Sequence, residues 1–276
     1  MNGAASLQEK SAPASTEPKQ DDVIRLTSRL VIVPVSASDA SGRPVRDLTA
    51  DDFVIEEEGR PQRVVPLGEP GQTPLEIVLA FDISGSTNAR FEFEQQAATR
   101  FIGEVLKPTD SVAVFSIGVT PKLVQARTTS CKEAVTGVKS LGAGKEPTAL
   151  FDTVVEAARY LGKWADSGDR RVLVVISDGE ENYSQRFGLS DALRELQKND
   201  CLFYAINPSG SALNLNRVSV KGQSFLEAMS SETGGKAFVP DNTEEFDRMF
   251  GQITAELQAQ YLFGYYSTDE RADGGF

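Results

Sequence analysis

Three short segments carry oxygen side chains in a pattern that suits a hard cation. The first is Ala80-Phe81-Asp82-Ile83-Ser84-Gly85-Ser86-Thr87, where an apolar run stops at an aspartate and two serines follow at alternate positions. In a turn, Asp-x-Ser-x-Ser points three oxygens to one side, and Mg²⁺ takes oxygen ligands in near-octahedral geometry while keeping some of its waters. A second apolar run ends at Ser177-Asp178-Gly179, with the glycine permitting a sharp turn. Between them lies Glu146-Pro147-Thr148, placed ahead of an amphipathic pattern at Val154, Val155, Ala158 and Leu161. Each segment also has an ordinary reading, since Ser and Asp are common in turns, Thr148 suits a helix N-cap and Asp178 a turn.

Composition removes several other chemistries. The 276 residues contain no histidine, which excludes Ser-His-Asp and Cys-His nucleophile systems and every His-ligated zinc site. Cys131 and Cys201 lie 70 residues apart, make no metal-ligand spacing, and read as buried small hydrophobes. A net charge of −12 argues against a nucleic-acid partner, because a polyanion needs a cationic face. The loop after Asp82 superficially resembles an aspartyl-phosphate nucleophile loop. Ser84, however, stands where a second aspartate would act as general acid, and it has no useful acidity near neutral pH. Gly234-Gly235-Lys236 is too short for a phosphate loop and reads as a helix C-cap. The chain is therefore expected not to be an enzyme. No apolar run reaches the ~18–20 residues that span a bilayer. Residues 1–22 read as a disordered leader in which no signal peptide is visible.

The elements that must position the three segments follow from periodicity. Leu75–Phe81, Val112–Ile117, Leu123–Arg127, Val172–Ile176, Leu202–Ile206 and Ala237–Val239 read as strands. The first and fourth are nearly continuous apolar runs, as strands buried on both faces require. Ala97, Ala98, Phe101, Ile102, Val105 and Leu106 make one helical stripe, and Phe246, Met249, Phe250, Ile253 and Leu257 another. Ser130 with Glu133, and Ser224 with Glu227, have capping-box spacing, each expected to open a short helix. Alternating strands and helices over residues 72–260 predict an α/β domain with a doubly wound, mostly parallel sheet flanked by helices, with ligands expected beyond the carboxyl ends of its strands. Residues 23–68 instead read as short strands, among them Leu30–Val35, around turns at Ser41–Pro44 and Glu58–Pro61. That module is too small to be stable alone. It is expected to pair with the tail, residues 261–276, in a small sandwich-like unit away from the site.

On these residues the chain resembles the von Willebrand factor A domains and their metal-ion-dependent adhesion site. Asp82, Ser84 and Ser86 match that family's Asp-x-Ser-x-Ser motif, Thr148 its threonine ahead of a helix, and Asp178 its aspartate after the next strand. The stretches Val45–Phe53 and Gln260–Tyr266 are similar to those of bacterial relatives that carry a β module ahead of the domain. The resemblance implies a Rossmann-like fold binding Mg²⁺, with Ca²⁺ or Mn²⁺ as alternatives. Asp82, Ser84 and Ser86 would hold the ion, and Thr148 and Asp178 would tune its affinity for an Asp or Glu carboxylate of a protein partner. It also implies an extracytoplasmic setting and a chain that continues past Phe276. One departure is Glu146-Pro147, where relatives usually carry glycines. Proline stiffens that loop, and Glu146 brings a further carboxylate to the rim. The polar stretch 208–223 follows a strand, so Asn214, Arg217 and Lys221 are expected on the same face. There they would meet an acidic partner surface or form a solvated loop.

Overall fold

The computed structural model describes residues 29–267 apart from 41–42, 69–70, 85–87, 167 and 211–216. In chain order it runs β1 (Arg29–Val35), a 3-10 turn (Ala50–Asp52), β2 (Ile55–Glu57), β3 (Arg60–Gln62), β4 (Val65–Pro66) and β5 (Leu75–Asp82). There follow α1 (Asn88–Val105), β6 (Ser111–Ile117), β7 (Lys122–Thr128), α2 (Cys131–Lys139), α3 (Leu150–Trp164) and β8 (Arg170–Ile176). The chain ends with α4 (Leu189–Lys198), β9 (Cys201–Ile206), α5 (Arg217–Ser231), β10 (Ala237–Phe238), α6 (Thr243–Ala259) and β11 (Tyr261–Ser267).

Six strands form the main sheet in the order β10-β9-β8-β5-β6-β7, parallel except for β7 at the edge. All eight residues of β5 are buried, which explains why its sequence is apolar apart from Glu76 and Asp82. Alternate side chains serve two cores. Ile77, Leu79 and Phe81 pack with α1, α2 and α6, whereas Val78 and Ala80 pack with α3, α4 and α5. Strand order reverses at β5, which has β6 on one side and β8 on the other. A crevice therefore opens where the connections part in opposite directions.

A smaller antiparallel sheet joins the two ends of the described chain. β11 lies between β1 and β4, paired with β1 from Arg29↔Ser267 to Val35↔Tyr261. Phe53 packs on the rings of Tyr261 and Phe263 at 5.4 and 4.6 Å. The Tyr261 hydroxyl donates to the Val45 carbonyl at 3.0 Å and accepts from the Leu48 amide at 3.0 Å. β2 and β3 form a separate hairpin. Ile32, Pro34 and Leu262 abut Arg170, Arg171 and Leu202 at the starts of β8 and β9, so this module covers the amino ends of the parallel strands. The expected leader, residues 23–28 and the tail beyond Ser267 lie outside the described residues.

Three local expectations are corrected. Ser224 does not open a helix. α5 is already under way from Arg217, and the Ser224 hydroxyl donates to the Val220 carbonyl one turn back. Residues 217–223 are consequently helical rather than loop, because Gly222, Leu226 and Met229 fall on one buried face at helical spacing and tertiary packing on β9 outweighs the polar composition. Cys131 is exposed at the first turn of α2, and only Cys201 is buried. By contrast Ser130 does cap α2, its hydroxyl accepting from the Glu133 amide at 3.3 Å.

Candidate metal centre

β5 and β8 run side by side with Phe81 opposite Ile176, so their carboxyl ends bring Asp82 next to Ser177-Asp178. Asp82 is 6 % exposed. Its Oδ2 accepts from Ser177 Oγ at 2.6 Å and its Oδ1 from the Ser84 amide at 2.9 Å. Burial pushes the Asp82 carboxyl up to about 6 against the pull of those hydrogen bonds, and the charge of Asp178 adds to the push. Asp178 accepts the Glu180 amide at 2.9 Å in a tight turn. Gly179 makes that turn possible with φ +78°, and any Cβ there would meet the Gly222 carbonyl oxygen at 2.3 Å. α5 is thereby packed directly against the turn that presents Asp178.

The third segment arrives ahead of α3. The Ala149 amide donates to the Gly118 carbonyl at 2.8 Å, and the Thr148 amide donates to Asn182 Oδ1 at 2.8 Å. The Thr148 carbonyl accepts from Asn182 and Tyr183 in return. So anchored, Thr148 is 1 % exposed and its Oγ1 lies 2.9 Å from Ser84 Oγ. It does not cap α3, whose N-cap position is Ala149 without a side-chain bond. Glu181 accepts the Phe151 amide at 2.9 Å and Asp152 accepts the Phe187 amide at 3.0 Å, stitching the loop after β8 to the first turn of α3.

Ser84, Glu146, Thr148, Asp178, Glu180 and Asn182 line one cleft of about 440 Å³, together with Lys145, Pro147 and Tyr183. Ser86 and Asn214 lie outside the described residues. Arg217 and Lys221 do not line the cleft. Both sit on α5, where the Lys221 ammonium lies 5.3 Å over the Phe225 ring. The sequence reading missed Ser177, which holds Asp82, and Asn182, which holds Thr148. Ser177 had a signal, a small polar residue at the same strand end as Asp178, whereas Asn182 is recognisable only through its contact.

The donor set fits a hard cation. Among the described residues no three Asp, Glu, His or Cys side chains gather as a metal cluster. The donors described are the carboxylates of Asp82 and Asp178, with those of Glu146 and Glu180 also on the cleft, and the hydroxyls of Ser84 and Thr148, all oxygen, as Mg²⁺, Ca²⁺ and Mn²⁺ prefer. A carboxyl raised by burial, and to a lesser degree by the charge of Asp178, is an arrangement that a nearby positive charge would stabilise.

The sequence matches the family model for the von Willebrand factor type A domain over residues 76–252. No curated protein sequence matches it. Among solved structures, BatB from Bacteroides thetaiotaomicron is similar at 19 % identity and a TM-score of 0.50, covering 65 % of this chain and 97 % of that one. A von Willebrand factor type A protein from Catenulispora acidiphila is similar at 16 % identity and 0.52, covering 67 % and 43 %. The PilB minor pilin from Streptococcus sanguinis is similar at 14 % and 0.53, covering 68 % and 62 %. At such identities the likeness is one of fold, whereas the family match spans most of the main sheet and its helices. The chain belongs to the von Willebrand factor type A domain family.

Proposed function

We propose that this chain is a divalent-metal-dependent protein-binding domain, in which Asp82, Ser84 and Ser86 hold Mg²⁺ with Thr148 and Asp178. Domains of this family commonly serve protein interaction and adhesion. The observation that carries the reading is the 2.9 Å approach of Thr148 Oγ1 to Ser84 Oγ, which joins side chains 64 residues apart above the buried Asp82. When bound, the ion supplies a Lewis-acidic position for a carboxylate of a partner. The residues around it do the rest. Ser177 and the Ser84 amide orient the Asp82 carboxylate, and Asn182 fixes the Thr148 backbone. Glu146 and Glu180 line the cleft, so an approaching acidic side chain meets like charge unless it is aimed at the ion. The partner is bound and released without chemical change.

Calorimetric titration with Mg²⁺, Ca²⁺ and Mn²⁺, paired with affinity capture of partners with and without EDTA, tests the proposal. Wild type should bind metal and capture partners only in its presence, and Asp82→Ala should do neither. A metal that raises the melting temperature yet never alters capture would mean that the ion serves stability alone.

A further inference from the structure

On the outer face of α3 a second, larger groove of about 650 Å³ runs beside the β6–β7 hairpin. One side is aromatic. The Tyr160 ring lies between Phe115 at 5.5 Å and Trp164 at 6.1 Å, and its hydroxyl accepts the Arg127 amide at 2.8 Å, which pins it. Trp164 is the only tryptophan of the chain, yet it is 50 % exposed. The other side is ionic. Arg186 pairs with Glu156 at 3.0 Å, Arg159 pairs with Glu195 at 3.0 Å, and the Lys163 ammonium lies 5.0 Å over the Trp164 ring. Both guanidinium groups also stack on Phe187, at 4.9 and 5.1 Å, so they are held in place rather than free to sweep through solvent.

We infer that this groove binds carbohydrate, with a sugar ring taking the place of the Lys163 ammonium over the Trp164 indole and its hydroxyls bridging Glu156 and Arg186. A pyranose has an apolar C–H face and a rim of hydroxyls that both donate and accept. A half-exposed indole beside fixed acid–base pairs answers both features. An added peptide strand fits less well. β7 is the sheet edge, but its register with β6 shifts twice between Val112 and Phe115, and Lys122 and Arg127 are exposed on it. Those features deter strand addition. An apolar peptide would also strip water from the Glu156–Arg186 pair without replacing its hydrogen bonds.

Because Trp164 is the sole tryptophan, its emission reads occupancy of the groove in the intact chain. Titration with cellohexaose, chitohexaose and hexagalacturonate presents neutral, N-acetylated and acidic rings. At least one should give a saturable change in emission that EDTA leaves unaltered. Calorimetry with that sugar should show about tenfold weaker binding for Trp164→Ala. Glu156→Gln, a conservative change, should also weaken binding while leaving the melting temperature in place. Flat emission with all three sugars at several millimolar would overturn the inference. So would a saturable response to a proline-rich peptide alone, or sugar binding that disappears with EDTA.

Discussion

The two ends of the main sheet handle buried charge in opposite ways. At the amino end, Glu76 is 3 % exposed and receives a forked contact from Arg127, with Nε at 2.9 Å, plus the Ser111 hydroxyl. Arg170, also 3 % exposed, donates to the carbonyls of Thr73 at 2.7 Å and Leu257 at 2.5 Å. Asp110 accepts the Leu75 and Lys107 amides, each at 2.9 Å. Every one of these charges is answered from within the fold. At the carboxyl end Asp82 is met, among the described residues, by the Ser177 hydroxyl and by the amide and side chain of Ser84, and the charge of Asp178 repels it. The difference separates a seam whose charges are paired within the fold from a strand end whose buried carboxylate meets hydroxyls, an amide and a like charge.

Breaking the seam should give the largest effect. Arg127→Met leaves Glu76 buried with a single hydroxyl, and a stranded buried charge costs about 3 kcal/mol. Urea denaturation should show that loss equally with and without Mg²⁺. Next in size is the response of the site itself. Wild type should gain about 2.7 kcal/mol of stability at a metal concentration one hundredfold above Kd. Asp82→Asn should gain nothing, while its metal-free form stays at least as stable as metal-free wild type, because a buried charge without a cation has been removed. A metal-free Asp82→Asn that melts well below wild type would erase the contrast between the two ends. A smaller step comes from Thr148→Ala, which should reduce the metal response by about 1 kcal/mol. Thr148→Ser, which keeps the hydroxyl, should retain it, and the same thermal melts check both. The gentlest probe is thiol labelling at neutral pH. Burial at the start of β9 pushes the Cys201 thiol up to about 12, so thiolate is scarce there, whereas Cys131 is exposed. Ellman's reagent should count one thiol in the native protein and two after denaturation. Rapid labelling of both would show that the amino end is not sealed.

Much of the α/β architecture is legible in the amino-acid order. Leu75–Phe81, apolar but for Glu76, and Val172–Ile176 are short, nearly continuous apolar runs of the kind that doubly covered strands require, and the stripes at Ala97–Val105 and Phe246–Leu257 repeat at helical spacing. The oxygen-bearing residues Asp82, Thr148 and Asp178 stand out because each follows or precedes such an element. Residues 217–223 were not legible. Their polar composition reads as loop, and only the packing of Gly222 on Gly179 and of Leu226 in the core explains the helix. Ser224 shows the same limit, since capping-box spacing also occurs inside a helix. Cys131 was misplaced because cysteine's tendency to be buried is a statistical habit and not a local force.

Residue type and order by themselves determined the strands, the helices, the oxygen chemistry of the site and the exclusion of histidine-based catalysis, because these depend on periodicity and on which groups exist at all. Tertiary structure alone decided that Ser177 and Asn182 hold the site residues, that α5 backs the Asp178 turn, and that Tyr160 and Trp164 face ionic pairs across a groove. Those relations join residues far apart in the chain through backbone and side-chain contacts. Such contacts leave no periodic trace in the sequence.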